Sequence, residues 1–212
     1  MKNLFKILIT SSILFACGVE QKKDNKKIPA EKSLSKTTEI EDEDSTEALL
    51  DSITIYENRI NEIPLPFPRK EMLEKLKKSF IQLGVTKEIG QQDGPDFPLY
   101  SLKNGETEIC FFAMDWEDTL NLNKIYIKDA LIKDEYGLKV GDSYQKIKKL
   151  RKGEIKTYTD YHLHTVAYFD NSNLSYEISG EASIPDTIDI KNLKLTEKQL
   201  KDWTIEYIIW RK

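Results

Sequence analysis

Two stretches of this chain are apolar on both faces and rich in β-forming residues: Ile109-Cys110-Phe111-Phe112-Ala113-Met114, and Thr204 to Trp210. Successive side chains of a strand point to opposite faces, so such a stretch fills two surfaces at once. It belongs inside a sheet, not at its edge. A fold that accommodates both stretches needs a sheet of several strands and helices to cover it.

The surrounding punctuation supplies those strands. Leu99–Lys103 and Glu106–Met114 flank Asn104-Gly105, a hairpin signal because both central residues of a type I′ turn take positive φ. Val85–Ile89 and Lys124–Lys128 read as further strands, the latter with Ile125 and Ile127 on one face. Thr165–Phe169 and Leu174–Ser179 form a second hairpin around Asp170-Asn171-Ser172-Asn173. Ile53 to Ile63 is a weak strand or an extended lead-in, after which Pro64, Pro66 and Pro68 break any ladder.

Three helices are expected. One runs from about Arg69 to Leu83, with Met72, Leu73, Leu76, Phe80 and Leu83 as its apolar stripe and Gly84 to end it. A second starts at Asp142 or Ser143 and runs to Leu150, burying Tyr144, Ile147 and Leu150. A third, short one opens with the capping-box spacing Thr196-x-x-Gln199. The fold class is therefore α+β: a single domain with a largely antiparallel sheet and two or three packed helices.

That domain occupies residues 49–212. Before it, residues 18–48 hold almost no large apolar residues, with Lys22, Lys23, Lys26 and Lys27 followed by Glu41, Asp42, Glu43 and Asp44. Such a segment buries too little apolar surface to offset its ordering entropy, so it reads as a flexible charged tether. About 30 residues of this kind reach roughly 30 Å.

Residues 1–16 are an address. Lys2 and Lys6 precede the apolar run Ile7–Phe15, which is too short to span about 30 Å of hydrocarbon. It has the build of a secretory signal peptide. Its end, Leu14-Phe15-Ala16-Cys17, resembles the bacterial lipobox, in which the cysteine is acylated and begins the mature chain. Residues 17–48 are then a lipidated cysteine (a palmitate-type anchor) and its tether. Gly18 stands where an aspartate would favour inner-membrane retention, so an outer-membrane anchor facing the periplasm or the cell surface is expected. With Cys17 lipidated, Cys110 has no disulfide partner in the chain.

Three stretches carry a family likeness: Leu200-Lys201-Asp202-Trp203-Thr204-Ile205-Glu206-Tyr207-Ile208-Ile209-Trp210-Arg211, Gly137-Leu138-Lys139-Val140-Gly141, and Leu174 to Glu181. Together with the signal cysteine, and in the family's own order from about Tyr56 to Arg211, they make the chain resemble the sigma-E-regulated envelope lipoproteins, a family of unknown function. The resemblance implies an envelope lipoprotein linked to envelope stress. It brings no catalytic residue.

Asp160, His162 and His164 alternate, and on a strand all three would share one face as a partial ligand set for zinc or another divalent ion. A surface strand carrying two histidines is the plainer account. Lys146, Lys149 and Arg151, with Lys148 and Lys152, form a basic cluster suited to lipid phosphates, although cations at a helix C-terminus also complement its dipole. Asp115, Glu117 and Asp118 around Trp116 lack calcium-loop spacing and read as a solvated turn. Cys110 reads as a small core hydrophobe.

G-x-S-x-G, H-E-x-x-H, C-x-x-C and a phosphate-binding glycine loop are all absent. No enzyme and no cofactor are therefore expected. A net charge of −4 argues against a nucleic-acid partner. What remains is a non-enzymatic module, held to the membrane by its lipid, that binds another envelope component through an exposed sheet face. The alternative is a small-ligand or metal-binding carrier or sensor.

Overall fold

The computed structural model describes residues 48–90, 96–114, 118–181 and 193–212. The signal peptide, Cys17, residues 17–47 of the tether, and Asp115, Trp116 and Glu117 lie outside them. The described residues all belong to one compact unit.

A helical turn over 48–51 leads into three short strands, β1 (Thr54–Tyr56), β2 (Arg59–Ile60) and β3 (Ile63–Pro64), paired in succession. β4 (Phe67–Pro68) pairs with β8 (Asn121–Leu122), and β10 (Lys133–Asp134) runs parallel to β1. The prolines thus shorten the ladders without abolishing them. Pro64 and Pro68 each end a two-residue strand, because a residue with no N–H cannot carry pairing further.

Eight longer segments make the main sheet: β5 (Gly84–Gly90), β6 (Phe97–Asn104), β7 (Thr107–Ala113), β9 (Lys124–Ile127), β11 (Lys156–Thr159), β12 (Thr165–Tyr168), β13 (Leu174–Ser179) and β14 (Thr204–Arg211). Their order is β11-β12-β13-β14-β9-β7-β6-β5, and every pairing is antiparallel. Both two-faced stretches are interior, as their composition requires. The β6–β7 turn differs from expectation. Asn104 pairs with Thr107, so Gly105 and Glu106 are the central residues, and Gly105 takes φ +58°. Positive φ at the first central residue is the requirement of a type II′ turn. A bulge opposite Leu102 and Lys103 accompanies this register.

Helix α1 covers Met72–Ser79 after a 3-10 turn at Arg69–Glu71, shorter than the expected 69–83. It stops because Phe80 and Leu83 both turn into the core while the chain reverses into β5. Helix α2 (Tyr144–Leu150) is capped by the Ser143 side chain, which accepts from the Lys146 amide. Helix α3 is Glu197–Leu200, and Gln199 Oε1 accepts from the Thr196 N–H at 3.0 Å.

Helices α1, α2 and α3 pack on the same side. Met72, Leu76, Tyr144, Ile147 and Leu200 join one core cluster with Leu102, Cys110, Phe112, Ile125, Ile127, Ile208, Trp210, Leu174, Tyr176 and Ile178. Those sheet residues alternate along their strands and define the covered face. Two helix expectations are corrected here. Leu150 is exposed, and Arg151 is buried in its place.

Candidate functional site

The other set of alternating residues faces away from that core. Register places Phe111 beside Tyr126, Tyr126 beside Ile209, and Ile209 beside Ser175. One step along the strands, Tyr207 lies beside Glu177, Glu177 beside Val166, and Val166 beside Tyr158. Rings touch across strands: Phe111 and Tyr126 stack at 4.6 Å, Tyr207 meets Tyr126 edge-on at 6.4 Å, and Tyr158 meets Tyr168 at 5.9 Å. Cross-strand pairs of this kind contribute roughly 0.2–1 kcal/mol each.

This row is not part of the core. Ile209 and Val166 are each only 8% exposed, yet both stand outside the core cluster. Ile209 lies beside Tyr126 and Val166 beside Tyr158 in the register. Among the described residues, no helix lies over this face, and Tyr158 is 51% exposed on it. The rim is polar. Lys103 pairs with Glu88 at 2.6 Å, and Glu108 accepts from Lys128 at 3.0 Å and from the buried Ser101 hydroxyl. Glu177 sits inside the row and contacts His164 Nδ1. That contact, more than the nearby carboxylates of Asp160 and Glu206, raises the His164 pKa above the ordinary imidazole value.

Asp160, His162 and His164 lie in the turn joining β11 to β12, not on a strand. One carboxylate oxygen of Asp160 accepts from the His162 and His164 amides, both at 2.9 Å. That carboxylate therefore organises the turn, which holds Leu163 at φ +68°. The imidazoles are 6.3 Å apart between centroids. Among the described residues, no three His, Cys, Asp or Glu side chains are grouped to hold a metal ion. Asp118 uses its carboxylate on the Leu120 and Asn121 amides.

The basic cluster separates. Lys146 pairs with Asp142 at 2.8 Å and Lys148 with Glu197 at 2.7 Å, while Lys149 is exposed. Arg151 points inward. Its guanidinium donates to Tyr176 Oη at 2.7 Å and Ser172 Oγ at 2.8 Å, and lies 3.9 Å over the Tyr136 ring and 4.4 Å over Phe169. Tyr176 passes the chain on, donating to Asp134 at 2.6 Å. Burial raises the Asp134 pKa, opposed by bonds from Tyr176 and the Leu138 and Tyr136 amides and by the charge of Arg151. Glu57 closes the network, accepting from Ser172 Oγ at 2.7 Å and the Asn173 amide at 2.6 Å. This network joins β1 and β10 to the main sheet. Cys110 is buried in the sheet, and desolvation pushes its thiol pKa far up, which leaves it inert as a nucleophile.

An eight-stranded antiparallel sheet, with its helices on one side and an aromatic row on the other, defines a one-sided α+β sheet domain. The chain belongs to the family described as a protein of unknown function, DUF1131, whose model matches residues 91–212. Its fold is similar to the crystal structure of the uncharacterized protein YfeY from Escherichia coli. That likeness has a TM-score of 0.55 and 19% sequence identity, and covers 75% of this chain and 99% of the other. No curated protein matches the chain.

Proposed function

We propose that this chain is a lipid-anchored envelope protein that acts by docking, not by catalysis, through the open face of its main sheet. The observation that supports this reading is the row Phe111–Tyr126–Ile209 with Tyr207, Val166 and Tyr158 beside it. Tyrosine offers large contact area at low entropy cost and is enriched at protein interfaces. The occupant is a protein, not a glycan strand. A sugar ring stacks on an open aromatic face, whereas Phe111 and Tyr126 spend their faces on each other, only 15° from parallel.

The membrane anchor rests on the signal-like residues 1–16 and Cys17, and the link to envelope stress on the family resemblance. Among the described residues no helix is long and apolar enough to cross a membrane.

The test places a photo-crosslinking amino acid at Tyr126 or Tyr207, with Lys78 on the exposed side of α1 as control, in the full chain in intact cells. The expected result is a protein adduct of defined mass from the two sheet positions and not from the control. Equal labelling at all three positions, or no protein adduct at any, overturns the docking reading.

A further inference from the structure

We infer that the outer edge of β5 takes up an extended segment of a partner polypeptide as an added strand, antiparallel to β5, with a carboxylate opposite Lys87. This goes beyond the docking on the open face and does not rest on it. β5 and β11 are the two edges of the main sheet. They differ. β11 has four residues, and its Lys156 is tied to Asp170 at 2.6 Å. β5 has seven residues, all in continuous register with β6, from Gly84 opposite Lys103 to Gly90 opposite Phe97. At about 3.4 Å per residue that is about 24 Å of strand.

Natural sheets blunt such an edge with proline, a bulge, a short strand or a covering element. β5 contains no proline and no register shift, and among the described residues no strand pairs with its outer side. Thr86, Lys87 and Ile89 are exposed, Ile89 at 69%. The N–H and C=O groups of an antiparallel strand alternate between its two sides, so about half of those of β5 point outward. A row of alternating donors and acceptors is complementary to an extended backbone, which is how sheets take up peptides as added strands.

The side chains choose the segment. Val85, Lys87 and Ile89 lie opposite Leu102, Tyr100 and Pro98, on the side of the sheet that the helices cover. Lys87 has no carboxylate partner among the described residues. On the other side Glu88 is already neutralised by Lys103 at 2.6 Å and accepts from Thr86 Oγ1 at 2.9 Å. Lys87 is thus the charge left to the incoming strand. A segment whose acidic residue has apolar residues two positions away on either side sets the acid opposite Lys87 and the apolar pair opposite Val85 and Ile89. A second copy of β5 does not fit. Pairing over the full strand sets Lys87 opposite Lys87, and like charges directly opposite are destabilising.

The probe is the capped peptide Thr-Val-Thr-Glu-Thr-Val-Thr, added to the full chain, with amide hydrogen exchange and NMR shifts as readouts. The expected result is binding with a Kd of about 1 mM or tighter, with exchange slowed in β5 and unchanged in β11. The same peptide with lysine in place of its glutamate binds about tenfold more weakly. Lys87→Glu reverses that order and Lys87→Gln levels it, each variant being checked for an unchanged melting temperature. Of two forms N-methylated at alternate residues, one loses binding and the other keeps it, because only one set of N–H groups faces β5. No binding at that concentration, protection at β11 in place of β5, or equal affinity for the glutamate and lysine peptides overturns the inference. Self-association of the chain that the peptide competes away makes a second copy the occupant and overturns the choice of a partner chain. Crosslinking at Tyr126 and Tyr207 reads the open face separately, so failure of either reading leaves the other standing.

Discussion

Replacing Arg151 by alanine should be among the most damaging single changes in this domain. The side chain is 4% exposed. It donates to Tyr176 and Ser172 and lies against Tyr136 and Phe169. Removing one member of a buried charged network costs about 3–5 kcal/mol, because its partners stay buried without it. At about 2–4 °C per kcal/mol for a chain of this size, Arg151→Ala should melt about 10 °C below the original protein by circular dichroism.

The loss should also depend on pH. Burial already raises the Asp134 pKa, and Arg151 is one of the groups that hold it down. Without Arg151 it rises further. A raised carboxyl contributes stability that is complete below its unfolded value and is lost as pH rises through the folded value. The penalty should therefore be larger at neutral pH than near pH 4. Arg151→Lys keeps the charge without the planar fork and should fall between the two. A shift of no more than about 2 °C for the alanine variant, the size of an ordinary surface change, would refute the clasp.

Two further outcomes follow from the geometry. His164 should titrate above the ordinary imidazole value by NMR and fall back toward it in Glu177→Gln; its pairing stabilises the fold below that range and fades as pH rises through the raised pKa. No shift between the two proteins would remove the pair. Gly180→Ala should destabilise by about 1–3 kcal/mol in urea titration, because a Cβ there would fall 2.3 Å from the Trp203 ring. An unchanged midpoint would mean that the ring moves aside freely.

Local chemistry was the legible part of the fold. Ser143, the Thr196–Gln199 spacing and the turn between Leu174 and the strand before it act within a few residues, and the structure uses them as read. The β6–β7 turn slipped by one residue because its register depends on a bulge, which no local signal marks. Arg151 was legible and missed. From Tyr144 at about 100° per residue, Ile147 and then Arg151 stay on one stripe, whereas Leu150 rotates off it. Polarity argued for the surface, and periodicity, which argued for the core, was right. Its partners Glu57, Asp134 and Tyr176 are far apart in the chain, so only the tertiary fold assembles the network.

The open face raises the reverse problem. Its residues are apolar, and apolarity on both faces of a strand is normally read as cover on both faces. Here Phe111 stacks on Tyr126 and Tyr126 meets Tyr207 edge-on across strands, with Ile209 beside them only 8% exposed though outside the core cluster. A purely structural surface has no need of such a row, since alternating polar residues would keep an antiparallel sheet soluble at lower risk of association. The excess of apolar side chains over what the core uses is the feature on which the proposed docking rests.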